Sequence, residues 1–343
     1  DTAQGLDDFV HGFLAYQPKA ANILATADNA KSNALANAYA GMLWMFLEAP
    51  VAADNAAPYI ARAKAAQTSN PRERSTQMIA ATWASGDVPE TMQMCESHSD
   101  QYPRDLVITK LAQYLHFNAG DAPAMLRTCL KALPDAAHEP YVHGMIAFGY
   151  EQCHQLAQAE ASARHAIEIE PKDAWAHHAI AHVMLSEGRV VEGAKFMEEM
   201  APRWEGLNSF MYSHNWWHLA LFYISMGQHD DVLAAYDTHV WGLEKNFAQD
   251  QIGAASLLAR MELAGIDVGD RWADVADHIA QRGADTTLPF LTMQYLYALG
   301  RSDNPMADTL ISAIKQKASA PGFEQEVWQS VALPACEGLL AYT

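Results

Sequence analysis

Proline recurs along this chain at an interval that few folds can accommodate. Pro71, Pro103, Pro134, Pro171 and Pro202 stand 32, 31, 37 and 31 residues apart. Each separates two stretches whose apolar residues follow helical spacing. Proline has no backbone N–H, and it ends a helix at little cost from just outside it. A stop repeated about every 34 residues predicts tandem two-helix units, which bury their apolar faces by stacking on one another.

The clearest unit runs from about His138 to Pro171. Its second helix, predicted over Leu156–Ile169, carries Leu156, Ala159, Ala163, Ala166 and Ile167 on one stripe. Small alanines there let neighbouring helices approach closely. Tyr150, Ala159, Ala166 and Pro171 occupy the aromatic, small, small and terminal-proline positions of the tetratricopeptide consensus, and Trp175 falls at its tryptophan position in the next unit. Further pairs are expected at Ala30–Leu47 with Ala53–Ala66, at Arg74–Ser85 with Pro89–His98, and at Leu106–Ala119 with Ala122–Leu133. Phe210–Met226 pairs with Asp230–Val240, and less regular helices follow to Phe323–Tyr342. The reading is an all-α chain, an α-solenoid of tandem helix hairpins forming one array over residues 1–343, best defined over 138–240.

Charge narrows the partners. The chain carries 22 basic and 41 acidic residues, a net −19. No basic stripe is present to displace counterions, so nucleic acid and an anionic membrane surface are excluded as partners. No apolar run has the length of a bilayer span. Asp1 is followed by no signal-like stretch. Cys95, Cys129, Cys153 and Cys336 are scattered without a CxxC pair, which fits buried thiols in a reducing, cytoplasmic setting. Cys95 and His98 lack a third orienting group, and no GxSxG, Walker A or GxGxxG motif stands in a strand–turn–helix context.

Histidine is abundant, at 15 residues, and unevenly placed. His178/His182 and His214/His218 are i,i+4 pairs, so each pair shares one helix face. They lie on the first helices of successive units, and four imidazoles would meet the ligand demand of a divalent transition metal. His143 and Glu151 lie on the preceding first helix. No HExxH is present. The repeat register puts the pairs at packing positions, so hydrogen-bonded core histidines are the competing reading. Trp204, Phe210, Tyr212, Trp216 and Trp217 form an aromatic cluster nearby, read either as packing or as the wall of a small-molecule pocket.

Several stretches together resemble the tetratricopeptide repeat protein 38 family. They are Gly144–Glu151, Trp175–His182 with Gly188-Arg189, and His214–Phe222, followed by Tyr236-Asp237. Pro71–Arg74 and Gly120-Asp121 also fit, and the likeness runs from roughly Leu6 to Leu299. Tyr150 and Gln152 depart from the family pattern around Glu151. The resemblance implies an intracellular α-solenoid, with His178, His182, His214, His218, Trp175 and Glu151 at family positions. Members extend further at the amino end, which implies that amino-terminal residues are missing here. The resemblance brings no reaction with it.

Two functions are expected from these features. In the first, the chain is a binding or scaffold protein that holds a peptide, protein segment or small ligand in its concave groove, with His143, Trp175, Trp216 and Trp217 as ligand contacts. In the second, it is a metal-assisted enzyme. The metal then sits on His178, His182, His214 and His218, and Glu151 or Asp250 serves as general base. Apolar faces around Leu288–Leu299 and Val327–Leu340 would serve a homo-oligomer.

Overall fold

Short polar side chains start several of the helices. Asn33, Asn70, Asp87, Asp121 and Asp173 each accept a hydrogen bond from a backbone N–H in the first turn that follows. Gly86-Asp87 and Gly120-Asp121 turn one helix into its partner, with the glycines at φ +84° and +74°, where a side chain would be strained.

The computed structural model describes residues 1–343 and contains helices and no strand. In order they are α1 (Thr2–Leu14), α2 (Asn22–Asn29), α3 (Ala34–Met45), α4 (Ala52–Ala65), α5 (Pro71–Ala84), α6 (Val88–Gln101), α7 (Leu106–Asn118), α8 (Ala122–Ala136), α9 (Pro140–Gln152), α10 (Leu156–Ile169), α11 (Ala174–Ser186), α12 (Val190–Met200), α13 (Ser209–Met226), α14 (His229–Ala235), α15 (Ala248–Leu263), α16 (Arg271–Ala280), α17 (Pro289–Arg301), α18 (Met306–Ser319), α19 (Gln325–Val327) and α20 (Leu333–Tyr342). Consecutive helices from α3 onward pair as hairpins, the α-solenoid class that the proline spacing predicts.

The chain divides into two compact units. One comprises residues 1–46 and 52–211, the other 47–51 and 212–343. In the first unit, Ala159, Ala163 and Ala166 are fully buried along α10. A side chain at Gly149 on α9 would stand 2.8 Å from the Leu126 backbone on α8, so glycine permits that close approach. Ser75, His98 and Asp105 form a hydrogen-bonded chain that ties α5, α6 and the start of α7 together. In the second unit, Trp241 donates to Asp274 across to α16 at 2.6 Å. Arg282 pairs with Asp285 at 2.7 Å and donates to the Glu48 carbonyl, fixing the 47–51 segment. Two stretches widen into π-turns, at Tyr236–Val240 and at Trp328–Ala332.

Some expectations need correction. Pro134 does not end α8, because the helix continues two residues beyond it. A proline in the last turn sacrifices a single hydrogen bond near an end that frays anyway. Pro71 is the first residue of α5, where its missing N–H is not needed. α1 and α2 lie in a region that the spacing left without helices. The final helix is broken by the π-turn around the fully buried Trp328.

The close approach at Gly149 gives a direct test. Gly149→Ala in a helix interior ordinarily stabilises by about 1 kcal/mol. Here the added methyl meets backbone, and the change is expected to cost about 1–3 kcal/mol, read as a lower denaturation midpoint. An unchanged or raised midpoint would refute the packing described.

Candidate functional site

α9 and α11 of the first unit are buried along most of their length, so their polar side chains must find partners inside the protein. Asp173 caps α11 by accepting from the N–H groups of Trp175 and Ala176, both at 3.1 Å. Two turns of α11 then present Trp175, His178 and His182 in sequence. The Trp175 ring stacks on His178 at 4.4 Å, and Phe148 of α9 meets Trp175 edge-on at 4.8 Å.

The Nε2 atoms of His178 and His182 face one another at 3.0 Å. Glu151 of α9 lies 3.3 Å from Nδ1 of His182 and also accepts from Gln152 at 2.7 Å. Burial pushes the Glu151 carboxyl up, but the hydrogen bonds from His182 and Gln152 outweigh it, so the group titrates below its ordinary value. With Nδ1–H of His182 given to Glu151, its Nε2 is left as a lone-pair donor. His178 answers it by donating an N–H from its own Nε2, or both nitrogens turn lone pairs to a shared cation.

The second unit repeats the motif on α13. His214 and His218 face each other through Nε2 at 3.3 Å. Trp217 lies parallel to His214 at 5.6 Å and donates to Ser256 at 2.9 Å. Trp216 instead stacks on His239 at 3.7 Å, and the Tyr212 hydroxyl meets Nδ1 of His239 at 2.7 Å. Asp250, 2% exposed on α15, accepts from the Ser213 hydroxyl at 3.2 Å. Two imidazole nitrogens bound to one metal at ~2.0–2.1 Å lie roughly 2.8–3.4 Å apart, in octahedral or tetrahedral geometry. Both pairs meet that spacing.

Not every expected site residue joins these pairs. His143 donates from Nε2 to the Ala137 carbonyl at 2.8 Å and meets His165 edge-on, which ties it to the turn before α9. Trp216 is bound to His239, a residue that the sequence reading did not single out.

The largest omission is Lys110 of α7. Its ammonium donates to the carbonyls of Phe13 and Leu14 at 2.8 and 3.3 Å, at the end of α1, and lies 3.5 Å from the centre of the Tyr16 ring. Leu14, Lys110, Tyr141, Met145, Asp173 and Trp175 enclose a cavity of about 10 Å³, room for one water. Asp173 is 3% exposed, and its Oδ2 has no hydrogen-bond partner in the protein. Gly144 makes space for this oxygen, because a side chain there would come within 2.9 Å of it. Burial drives the Lys110 amine down to about 7, with Asp173 pulling the other way. Burial likewise raises the Asp173 carboxyl to about 6, against its backbone hydrogen bonds and Lys110. The sequence signal was a lone lysine inside the apolar run Leu106–Leu111.

No family model matches the chain. Among solved structures it is similar to the Rap protein complexed with competence and sporulation factor, at 12% identity over 99% of this chain and 98% of that one, with a TM-score of 0.51. A tetratricopeptide repeat protein from Parabacteroides merdae matches at 11% identity over 78% of this chain and 98% of that one, with a TM-score of 0.43. Yeast Tom70 matches at 12% identity and a TM-score of 0.48, over 80% of this chain and 65% of that one. The Rap likeness spans nearly all of both chains and supports the helical-repeat architecture. The fold is of tetratricopeptide type.

Lys110 makes stability depend on pH. Its folded value near 7 lies below its ordinary 10.5, so between these values the unfolded chain binds the extra proton. Stability therefore gains from Lys110 as pH rises from about 7 to 10.5. Melting curves across that range are expected to show this gain in the parent and its loss in Lys110→Met. Equal pH slopes in the two proteins would contradict the burial of the amine.

Proposed function

We propose that this chain is a binding protein of the tetratricopeptide repeat protein 38 kind, acting in the cytoplasm, and that its histidine pairs hold a divalent transition metal. The observation that carries the metal reading is the facing of Nε2 atoms at 3.0 Å in His178/His182 and 3.3 Å in His214/His218, with Glu151 behind His182. Each of the four histidines offers one ring nitrogen as a ligand atom. A carboxylate behind a histidine fixes the ring tautomer and raises its basicity toward a metal. Trp175 and Trp217 flank the pairs with aromatic surface, which suits a peptide side chain or small ligand beside the ion. A bound divalent ion would polarise a carbonyl or a water molecule of that ligand.

A second reading, a metal-assisted enzyme, is favoured by Asp250. It is a buried acid on α15 beside the Ser213 hydroxyl, and it is the residue for the general base. In that case Asp250→Asn removes turnover and leaves the metal bound.

Protein purified without chelators is expected to carry zinc, or another divalent transition metal, at near-stoichiometric level. Glu151→Gln should weaken zinc binding by about 10–100-fold in competition with a chelating dye, with helicity unchanged. His178→Ala and His218→Ala should lose the metal. A chain that neither retains nor takes up zinc, nickel, copper or manganese would end the metal reading.

A further inference from the structure

α8 and the turn between α9 and α10 form an open groove of about 900 Å³ on the first unit. Its apolar wall is Pro123, Leu126 and Leu130, which stand on successive turns of α8. The ionisable residues that line it are Arg127 and Lys131 of α8 and Cys153 and His154 of the turn. No carboxylate lines it, in a chain of net charge −19. A groove whose side-chain charges are all positive selects an anion among ligands of similar shape.

The cations also set a spacing. Arg127 and Lys131 are one helical turn apart, about 6 Å along the axis. Glu96 and Asp100, likewise one turn apart on α6, meet them at 3.4 and 2.7 Å from outside the groove. These pairs are partly exposed and hold little energy, so both cations can turn to carboxylates of a ligand with matching spacing. Side chains on one face of an extended peptide stand about 7 Å apart, close to that pitch. The turn supplies what a peptide backbone needs, because the Gln155 side chain is exposed and offers both a donor and an acceptor.

The same turn carries backbone strain. His154, at φ +59°, donates its N–H to the Glu151 carbonyl, and Gln155 donates to that of Tyr150. The neighbouring hairpins make the same two bonds with Gly120 and Gly188 in the place of His154. Here a side chain is kept in a left-handed conformation that favours glycine, a form of strain that collects where ligands are held. We propose that this groove binds an extended acidic peptide, with carboxylates at alternate positions and an apolar side chain between them. The acids meet Arg127 and Lys131, and the apolar side chain lies on Leu126 and Leu130. The groove runs along a second helix of a hairpin, and peptide binding there needs no metal on the histidine pairs.

The probe is a capped hexapeptide of alternating glutamate and leucine, titrated into the full chain, and the readout is maleimide labelling of Cys153. Cys95, Cys129 and Cys336 are buried, while Cys153 is half-buried at the groove. Labelling should slow about 10-fold with the peptide at about ten times its dissociation constant, and the same peptide with glutamine for glutamate should not protect. Arg127→Gln combined with Lys131→Gln should weaken binding by ~5-fold or more with helicity unchanged, since both side chains are partly exposed. His154→Gly should melt at a higher temperature and bind the peptide more weakly. No protection by the glutamate peptide, equal protection by the glutamine peptide, or parent affinity in either variant overturns the proposal. Calorimetric titration of the same peptides reads binding without the thiol and must give the same order. Chelator-treated protein should protect equally, so failure here leaves the metal reading intact, and loss of the metal reading leaves this groove standing.

Discussion

A helix packed on nearly every side has no water toward which to turn a polar side chain, and the first helices of the hairpins are in that position. On α9 the residues from Val142 to Gly149 are all buried, and on α11 so are nearly all from Ala174 to Met184. Each polar group on them therefore has to be answered inside the protein. His177 accepts from the Trp204 indole at 3.2 Å, and burial lowers its titration to about 4, keeping it neutral. Gln113 of α7 reaches the Met145 carbonyl on α9 at 2.8 Å. The imidazoles of His178 and His182 face each other through Nε2 at 3.0 Å, the spacing of a hydrogen bond and also of two ligands on one cation. Glu151 beside Nδ1 of His182 favours the tautomer whose Nε2 lone pair faces His178, ready to accept an N–H or to bind a cation.

The second helices carry a lighter constraint, and they hold the hairpins together by different means. α10 buries little beyond its alanine stripe. Arg189, at the start of α12, reaches Glu160 on α10 and Glu192 on its own helix, both at 2.6 Å. Exposed pairs of this type contribute little to stability, and what they supply here is register between neighbouring hairpins. The unusual chemistry lies on the first helices, where polar groups are kept despite the cost of burial.

The hairpins from Arg74 onward were legible because glycine-aspartate turns and alanine stripes mark them locally. Leu156–Ile169 has the same bounds in sequence and structure. α1 escaped notice because no proline or glycine punctuates its start, and its helix depends on an Asp1 cap and on packing against α3 and α7. The pairing within His178/His182 and His214/His218 follows from i,i+4 spacing, and Glu151 on α9 lies 3.3 Å from His182. That Nε2 would face Nε2 could not be read, because side-chain rotation is set by Trp175, Phe148 and Glu151 together. His143 has the same residue type on the same helix, but the Ala137 carbonyl claims it. Lys110, Tyr16 and Asp173 meet only through tertiary packing of distant segments, so spacing carries no trace of their contact.

The central claim is that the histidine pairs are metal ligands and not a self-contained core. Zinc-edge X-ray absorption on the zinc-loaded full chain tests this most directly. The account predicts a first shell of imidazole nitrogens at ~2.0–2.1 Å, with outer-shell ring scattering and no sulfur at ~2.3 Å. A shell of water or carboxylate oxygens without imidazole scattering, or a protein that takes up no zinc at all, would contradict it.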